Sequence, residues 1–198
     1  MKRQWRATSS DTAAKTLTDL RKNTNLSKEE IQIKRKQLYG IIDEAVMRIY
    51  FAADVDPNLR QQKNVQLNDG ARKQFFVQAL PVLEKILEFG RQPEIGMLLA
   101  PTAHHFIELL NGVLRYDPPL VLRMAAEVVS CSKRYNYNLD SMALEEVVKL
   151  VELILADYRD KVQDEASIKN LLELLDAFVE VGWPQALSLV WRLDEIYR

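Results

Sequence analysis

From Asp69 onward, the sequence is a succession of amphipathic segments whose apolar residues recur at the spacing of an α-helix. In the first segment Phe76, Leu80, Leu83 and Leu87 recur at helical spacing, and the segment stops at Gly90. No segment shows the period-two alternation of a half-buried β-strand. The 198 residues include only 6 glycines and 7 prolines, which also favours helices over short strands and tight turns. We therefore expect an all-α fold.

Three aspartates stand directly before such helices, where an N-cap side chain accepts hydrogen bonds from backbone N–H groups. They are Asp69, Asp117 and Asp164, which lie 48 and 47 residues apart. Pro118 suits the first turn of a helix, because an N–H group at that position would have no intrahelical partner. Each aspartate is followed by a helix, a break and a second helix. The predicted breaks are 90–93, 135–138 and 182–184.

A helix pair every 47 or 48 residues resembles the HEAT and armadillo type of helical repeat, whose units run to about 40–47 residues. The resemblance covers residues 69–198 and rests on periodicity and corner residues. It implies stacked antiparallel helix pairs in an α-α superhelix, with an extended face for peptides, proteins or nucleic acid. An irregular helical bundle with evenly spaced loops is the alternative.

The N-terminal third predicts two more helices. Ser27-Lys-Glu-Glu30 has the spacing of a capping box, and the apolar residues that follow predict a helix over 27–53. Residues 1–26 hold few apolar positions, enough for a short helix over about 11–22. We therefore divide the chain into a weakly ordered basic segment, a long helix with a polar loop, and three helix pairs. Their ranges are 1–26, 27–68 and 69–198.

The net charge of −1 conceals an uneven distribution of charge. Residues 1–36 carry 10 Lys or Arg against 4 Asp or Glu, whereas the remainder carries 17 against 24. A basic tract lies in the long helix and consists of Lys28, Lys34, Arg35 and Lys36. Such a tract can neutralise phosphates or dock on an acidic protein. A solvated helix face is the ordinary interpretation, and contact with the acidic remainder of the chain is a further one.

Two tryptophans are the second candidate contact feature. Trp183 abuts Pro184 at a predicted helix corner, and Trp191 lies beside an apolar stripe. Core packing is the favoured interpretation for both, with a partner-binding anchor as the alternative. The last predicted helix is apolar on more than one side, whereas a solenoid normally closes with a polar outer face. Either a partner or the basic N-terminal helices cover it, or the chain forms one end of a larger assembly.

The sequence contains no recognised catalytic or cofactor-binding motif: GxxxxGK[ST], GxGxxG and HExxH are all absent. His104 and Glu108 share a helix face, but His105 is expected about 100° away and no third ligand is near in sequence, so we expect no metal site. The numerous carboxylates are expected to pair with Lys or Arg three or four residues away on solvated faces. Cys131, the only cysteine, is assigned to packing and excludes an intrachain disulfide.

No window approaches the roughly 18 uninterrupted apolar residues of a membrane-spanning helix, and the N-terminus lacks the apolar core of a secretory signal. We expect a cytoplasmic, non-enzymatic scaffold or adaptor without cofactors, which binds another macromolecule, in the first place a protein. One alternative is a nucleic-acid-binding accessory subunit that uses the basic tract. The other is an enzyme with an unrecognised helical active site, which a deep pocket at His104 or a carboxyl of raised pKa would favour.

Overall fold

The computed structural model describes residues 15, 16, 18, 26–53, 68–92, 102–135, 141–180, 182, 184 and 187–191, with side chains for all of these except 131–135 and 141–144. All regular structure in these ranges is helical, which confirms the all-α prediction. The helices are α1 (Lys28–Ala53), α2 (Asp69–Gly90), α3 (Ala103–Val113), α4 (Pro118–Tyr135), α5 (Ser141–Asp157) and α6 (Glu165–Glu180). Two 3-10 helices, Leu114–Tyr116 and Arg159–Lys161, follow α3 and α5.

The predicted capping box at the start of α1 is present. The backbone N–H of Ser27 donates to Glu30 Oε2 at 2.8 Å, and the backbone N–H of Glu30 donates to Ser27 Oγ at 3.2 Å. The predicted weak helix at 11–22 lies outside the described residues except for Lys15, Thr16 and Thr18, which are helical. The polar loop predicted after α1, up to residue 68, also lies outside them except for Asn68, so the division into domains stays a prediction.

Two of the three predicted aspartate caps are present. Asp117 Oδ1 accepts a hydrogen bond of 3.2 Å from the backbone N–H of Leu120 at the start of α4. Asp164 caps α6, where its two carboxylate oxygens accept from the backbone N–H of Ser167 at 2.9 Å and from its hydroxyl at 2.6 Å. These hydrogen bonds lower the pKa of Asp164 below its ordinary value.

The third predicted cap, at Asp69, is wrong. The N-cap of α2 is Asn68, whose side-chain oxygen accepts a hydrogen bond of 2.8 Å from the backbone N–H of Ala71. Asparagine caps a helix as well as aspartate does. Asp69 instead lies in the first turn, where its carboxylate pairs with Arg115 and accepts a hydrogen bond of 2.9 Å from the Tyr116 hydroxyl. Burial raises the pKa of that hydroxyl.

Successive helices alternate between two layers. In one layer α3 lies between α1 and α5, and in the other α4 lies between α2 and α6. Across the layers, α1 packs against α2 and α3 packs against α4. The broadest contacts join α4 to α6 and α3 to α5, so neighbours within a layer are separated in sequence by an intervening helix of the other layer.

One cluster of buried apolar side chains includes residues of all six helices. Phe106 of α3 and Phe178 of α6 are the largest of those with almost no exposed surface. In α4 the side chains of Val121, Met124, Ala125 and Val128 are all fully buried. Burial of this kind removes apolar area from water, which is the main favourable term in folding.

The helix ends agree with the predicted breaks. The helices α2 and α4 end at Gly90 and Tyr135, and Gly182 after α6 has a φ of 73°, which an L-residue with a side chain rarely adopts. Between the predicted breaks, α5 ends at Asp157 and a 3-10 helix follows at Arg159. Among the described residues, no helix has the length and apolar character needed to cross a bilayer.

Candidate functional site

The basic tract occupies the part of α1 that contributes least to the core. Every fully buried residue of α1 lies at or beyond Leu38, so residues 28–37 have none. Along this part of the helix runs a groove, here called the basic groove. Its described lining is Lys28, Ile31, Gln32, Arg35, Lys36 and Tyr39. Three of the four predicted basic residues therefore share one surface, and Lys34 is not among the described lining residues.

The side chains of the basic groove differ in exposure. Lys28 and Lys36 are exposed, whereas Arg35 and Tyr39 are half-buried. The Nε atom of Arg35 is buried and lacks a hydrogen-bond partner within the described part of the chain. Nearby, the hydrogen bonds from Ser27 hold the pKa of Glu30 below its ordinary value, so this carboxylate is ionised at neutral pH while it caps the helix. The groove thus presents cations, apolar surface and an aromatic ring together.

A second groove crosses the layer formed by α2, α4 and α6, and is called the interhelix groove here. Its described lining is Arg91, Arg123, Ala126, Glu127, Ser130, Asn170 and Glu173. The Arg91 guanidinium donates a hydrogen bond from Nη2 to Glu127 Oε2 at 2.8 Å. Arg123 forms ion pairs with Glu84 and with the same Glu127. These ion pairs tie α2 to α4 and leave the groove with mixed charge. Sequence reasoning missed it because its residues come from α4, from α6 and from the C-cap position of α2, which are distant from one another in sequence.

The tryptophan predictions have different outcomes. Trp191 is 73% exposed, so the favoured interpretation of this residue as part of the core is wrong. Its neighbour Leu189 is buried, whereas Leu187 is 42% exposed. The apolar side chains of the helix over 187–191 are therefore divided between the core and the surface. Trp183 and the side chain of Cys131 lie outside the described residues.

The structure brings both histidines to one carboxylate. His104 Nε2 and His105 Nδ1 each lie 3.6 Å from Glu108 Oε2. The prediction that His105 lies too far around the helix to join this pair is therefore wrong. A separation of three residues also places two side chains on one helix face, and the imidazole reaches across the remaining angle. Tyr50 of α1 adds a hydrogen bond of 2.7 Å to Glu108 Oε1.

Several solvated carboxylates pair as predicted with a Lys or Arg three or four residues away, whereas the carboxylates of Asp69, Glu84 and Glu127 also pair with arginines that are distant in sequence. Among the local pairs, Glu44 pairs with Arg48, Glu88 with Lys85, and Lys169 Nζ lies 3.8 Å from Glu173 Oε1. These local pairs join residues three or four apart on exposed helix faces, where each is worth about 0.2–0.5 kcal/mol. They stabilise individual helices and do not form an acid–base site.

No protein-family model matches the sequence, and neither the curated proteins nor the solved structures yield a match. The resemblance to HEAT and armadillo repeats thus rests on helix spacing and has no family evidence behind it.

Proposed function

We propose that this chain is a non-enzymatic helical scaffold or adaptor that binds a protein partner through the face formed by α2, α4 and α6. The observation that supports this most directly is the interhelix groove, because it extends from the C-cap residue of α2 across α4 to α6, and these three helices lie side by side in one layer. Binding faces of helical repeats have this construction, in which equivalent helices of successive units present one extended surface.

The alternation of helices between two layers supports stacked, HEAT-like units, because the first helices of successive units then neighbour one another in one layer and the second helices in the other. The broader contacts across the layers join α1 to α2 and α3 to α4, whereas the predicted pairs are α2 with α3 and α4 with α5. The N-caps that begin these units are Asn68, Asp117 and Asp164, so their spacing is 49 and then 47 residues. In this arrangement α1 occupies the position of a second helix preceding the first unit.

The chemistry of the interhelix groove favours a protein segment over a polyanion. Its guanidinium groups, Arg91 and Arg123, already pair with carboxylates of α2 and α4. A phosphate would have to displace these carboxylates and face the exposed Glu173 as well. Ser130 and Asn170 are half-buried and offer neutral hydrogen-bonding groups, which suit a peptide backbone or polar side chains.

The test is a binding measurement in which bulk is added to the groove. The purified chain captures its partner from cell extract, and the affinity of the identified partner is then measured for wild type, Asn170→Arg and Gln163→Arg. Gln163 is exposed outside the groove and its replacement adds the same charge, so it is a matched control. We expect Asn170→Arg to lose about tenfold or more in affinity, and the control to bind as wild type.

Circular dichroism and thermal unfolding of both variants check that the fold is intact. Equal affinity of wild type and Asn170→Arg would exclude the interhelix groove as the binding face. Failure of the wild-type chain to retain any protein in repeated captures, under both low and physiological salt, would contradict the adaptor proposal itself.

A nucleic-acid-binding accessory function is the second candidate, and the basic groove favours it. Lys28, Arg35 and Lys36 lie along one side of α1, next to Tyr39, whose ring offers a stacking surface for a base. Single-stranded nucleic acid would bind with log K falling by about 0.7 per neutralised phosphate for each unit of log salt. We expect Lys28→Glu with Lys36→Glu to abolish such binding and Lys169→Glu, a 74% exposed lysine of α6, to spare it. Absence of salt-dependent binding would exclude this function.

A further inference from the structure

The side chains of His104, His105 and Glu108 form a compact group near the start of α3, called the histidine cluster here. One ligand atom from each lies within 4.8 Å of the other two. The two imidazole nitrogens that face Glu108 are each 3.6 Å from its Oε2. In a tetrahedral zinc site with ligands at about 2.0–2.1 Å, neighbouring ligand atoms are about 3.3–3.4 Å apart. Small side-chain rotations would thus place all three donors around one ion.

Tyr50 of α1 holds the carboxylate of the cluster in position. Its hydroxyl donates to Glu108 Oε1 at 2.7 Å, and its ring centroid lies 5.2 Å from that of His105. Tyr50 is only 5% exposed, and a buried tyrosine hydroxyl requires such a partner. Because Oε1 is occupied by this hydrogen bond, Oε2 is the oxygen directed toward the imidazoles. Hydrogen bonds that orient a ligand in this way are a regular feature of protein metal sites.

Each imidazole has one buried nitrogen, Nδ1, without a hydrogen-bond partner among the residues that the structure describes. For His105 this is the nitrogen that faces Glu108, whereas for His104 the nitrogen that faces Glu108 is Nε2. Buried polar atoms without a partner are rare in folded proteins, and an ion or a water molecule is a common explanation. The cluster is also accessible to an ion from solution, since the side chains of His105 and Glu108 are 33% and 25% exposed.

We propose that the histidine cluster binds a divalent first-row transition-metal ion, with His104, His105 and Glu108 as ligands and Tyr50 as a positioning residue. Two imidazoles and one carboxylate favour Zn²⁺ and its neighbours over Mg²⁺ or Ca²⁺, which take oxygen ligands. Three protein ligands leave coordination positions for water. The cluster is distinct from the interhelix and basic grooves, so this proposal does not depend on the proposed function.

Bound metal would also strengthen the contact between α1 and α3. The ligands all belong to little more than one turn of α3, and Glu108 accepts a hydrogen bond from Tyr50 on α1. An ion that binds the folded chain and not the unfolded one raises the unfolding temperature in proportion to the logarithm of its concentration. Metal affinity and metal-dependent stabilisation should therefore disappear together when a ligand is replaced.

The experiment uses Zn²⁺ with tag-free protein, because His104 and His105 are the only histidines of the sequence. Isothermal titration calorimetry in a non-chelating buffer measures stoichiometry and affinity, and thermal unfolding with and without Zn²⁺ measures stabilisation. We expect one ion per chain, no measurable binding for His105→Asn or Glu108→Gln, and unchanged binding for Glu152→Gln. Glu152 is an exposed carboxylate of α5 and serves as the matched control.

Tyr50→Phe tests the positioning role, with an expected loss of about 10–100-fold in Zn²⁺ affinity. Its unfolding temperature without metal is measured in parallel, so that a loss of affinity is not confused with a loss of fold. Absence of Zn²⁺ binding by wild type at millimolar concentration would overturn the proposal. So would equal binding by wild type and Glu108→Gln, because the ion would then be held by other carboxylates.

The visible absorption of bound Co²⁺ gives a readout on wild type alone, should a ligand variant fail to fold. Intense bands of a tetrahedral nitrogen and oxygen site support the proposal, since the aqueous ion is octahedral and absorbs weakly. A spectrum that stays that of the aqueous ion refutes it.

Discussion

Replacement of Asp117 by alanine should lower the free energy of unfolding by about 1 kcal/mol. Asp117 Oδ1 accepts a hydrogen bond of 3.2 Å from the backbone N–H of Leu120, which has no intrahelical acceptor in the first turn of α4. Asp117 is exposed, so water replaces part of the lost interaction. The cost should therefore stay at the lower end of the about 1–3 kcal/mol lost when a buried donor is left without a partner.

Urea unfolding followed by circular dichroism measures this change. The urea concentration at the midpoint should fall, while the slope of the free energy of unfolding against urea concentration stays the same. A loss of 1 kcal/mol corresponds to a fall of about 2–4 °C in unfolding temperature for a chain of this size. Asp117→Asn keeps an acceptor and should remain close to wild type. Asp157→Ala removes a carboxylate from the last turn of α5, where negative charge is unfavourable, and should be neutral or slightly stabilising.

Two results would refute the assignment of Asp117 as a helix cap. The first is an unfolding free energy of Asp117→Ala equal to that of wild type. The second is an equal loss in Asp117→Asn and Asp117→Ala, because the side-chain acceptor would then not be the source of the stability. Either result would also weaken the proposal that this corner begins a structural unit.

Two further predictions concern the core and the start of α1. Phe106 has 0% exposed surface, so Phe106→Ala should lower the free energy of unfolding, measured in urea, by about 3–5 kcal/mol. Val77 is 59% exposed, so Val77→Ala should change that free energy by less than about 0.5 kcal/mol. Equal losses in the two variants would contradict the assigned core. Hydrogen bonds from Ser27 hold the pKa of Glu30 below its ordinary value of 4.5. The stability that the capping box contributes is therefore fully present above pH 4.5 and is lost as the pH falls through the lowered pKa. Carbon-detected NMR titration should place the midpoint below 4.5, and a midpoint at or above it would disprove the cap.

Helix limits were largely predictable because they depend on residues within about four positions of one another. The caps of Ser27, Asp117 and Asp164 illustrate this, since each contacts a backbone N–H three residues further along. Asp69 shows the limit of such reasoning. Two adjacent residues were able to cap α2, and the carboxylate of Asp69 found partners in Arg115 and Tyr116, which are distant in sequence.

The candidate sites were predictable only in part. The basic tract was recognisable in the sequence as a local concentration of charge. Which of its side chains line the groove depends on the direction of each one along α1, and Lys34 is not among the described lining residues. The histidine cluster was discounted because a spacing of one residue separates Cα–Cβ directions by about 100°. Side-chain torsions and the hydrogen bond from Tyr50, 58 residues from Glu108, bring the donors together.

The sequence by itself determined the all-α class, most helix limits and the inward faces of the helices, because caps and apolar periodicity act within a few residues. Only the tertiary structure decided how the helices form two layers, and with them the interhelix groove and the position of Trp191 on the surface. These features depend on which apolar faces meet across the chain. Many pairings bury similar area, so the choice rests on side-chain shape and on contacts such as Arg91 with Glu127, which no local pattern encodes.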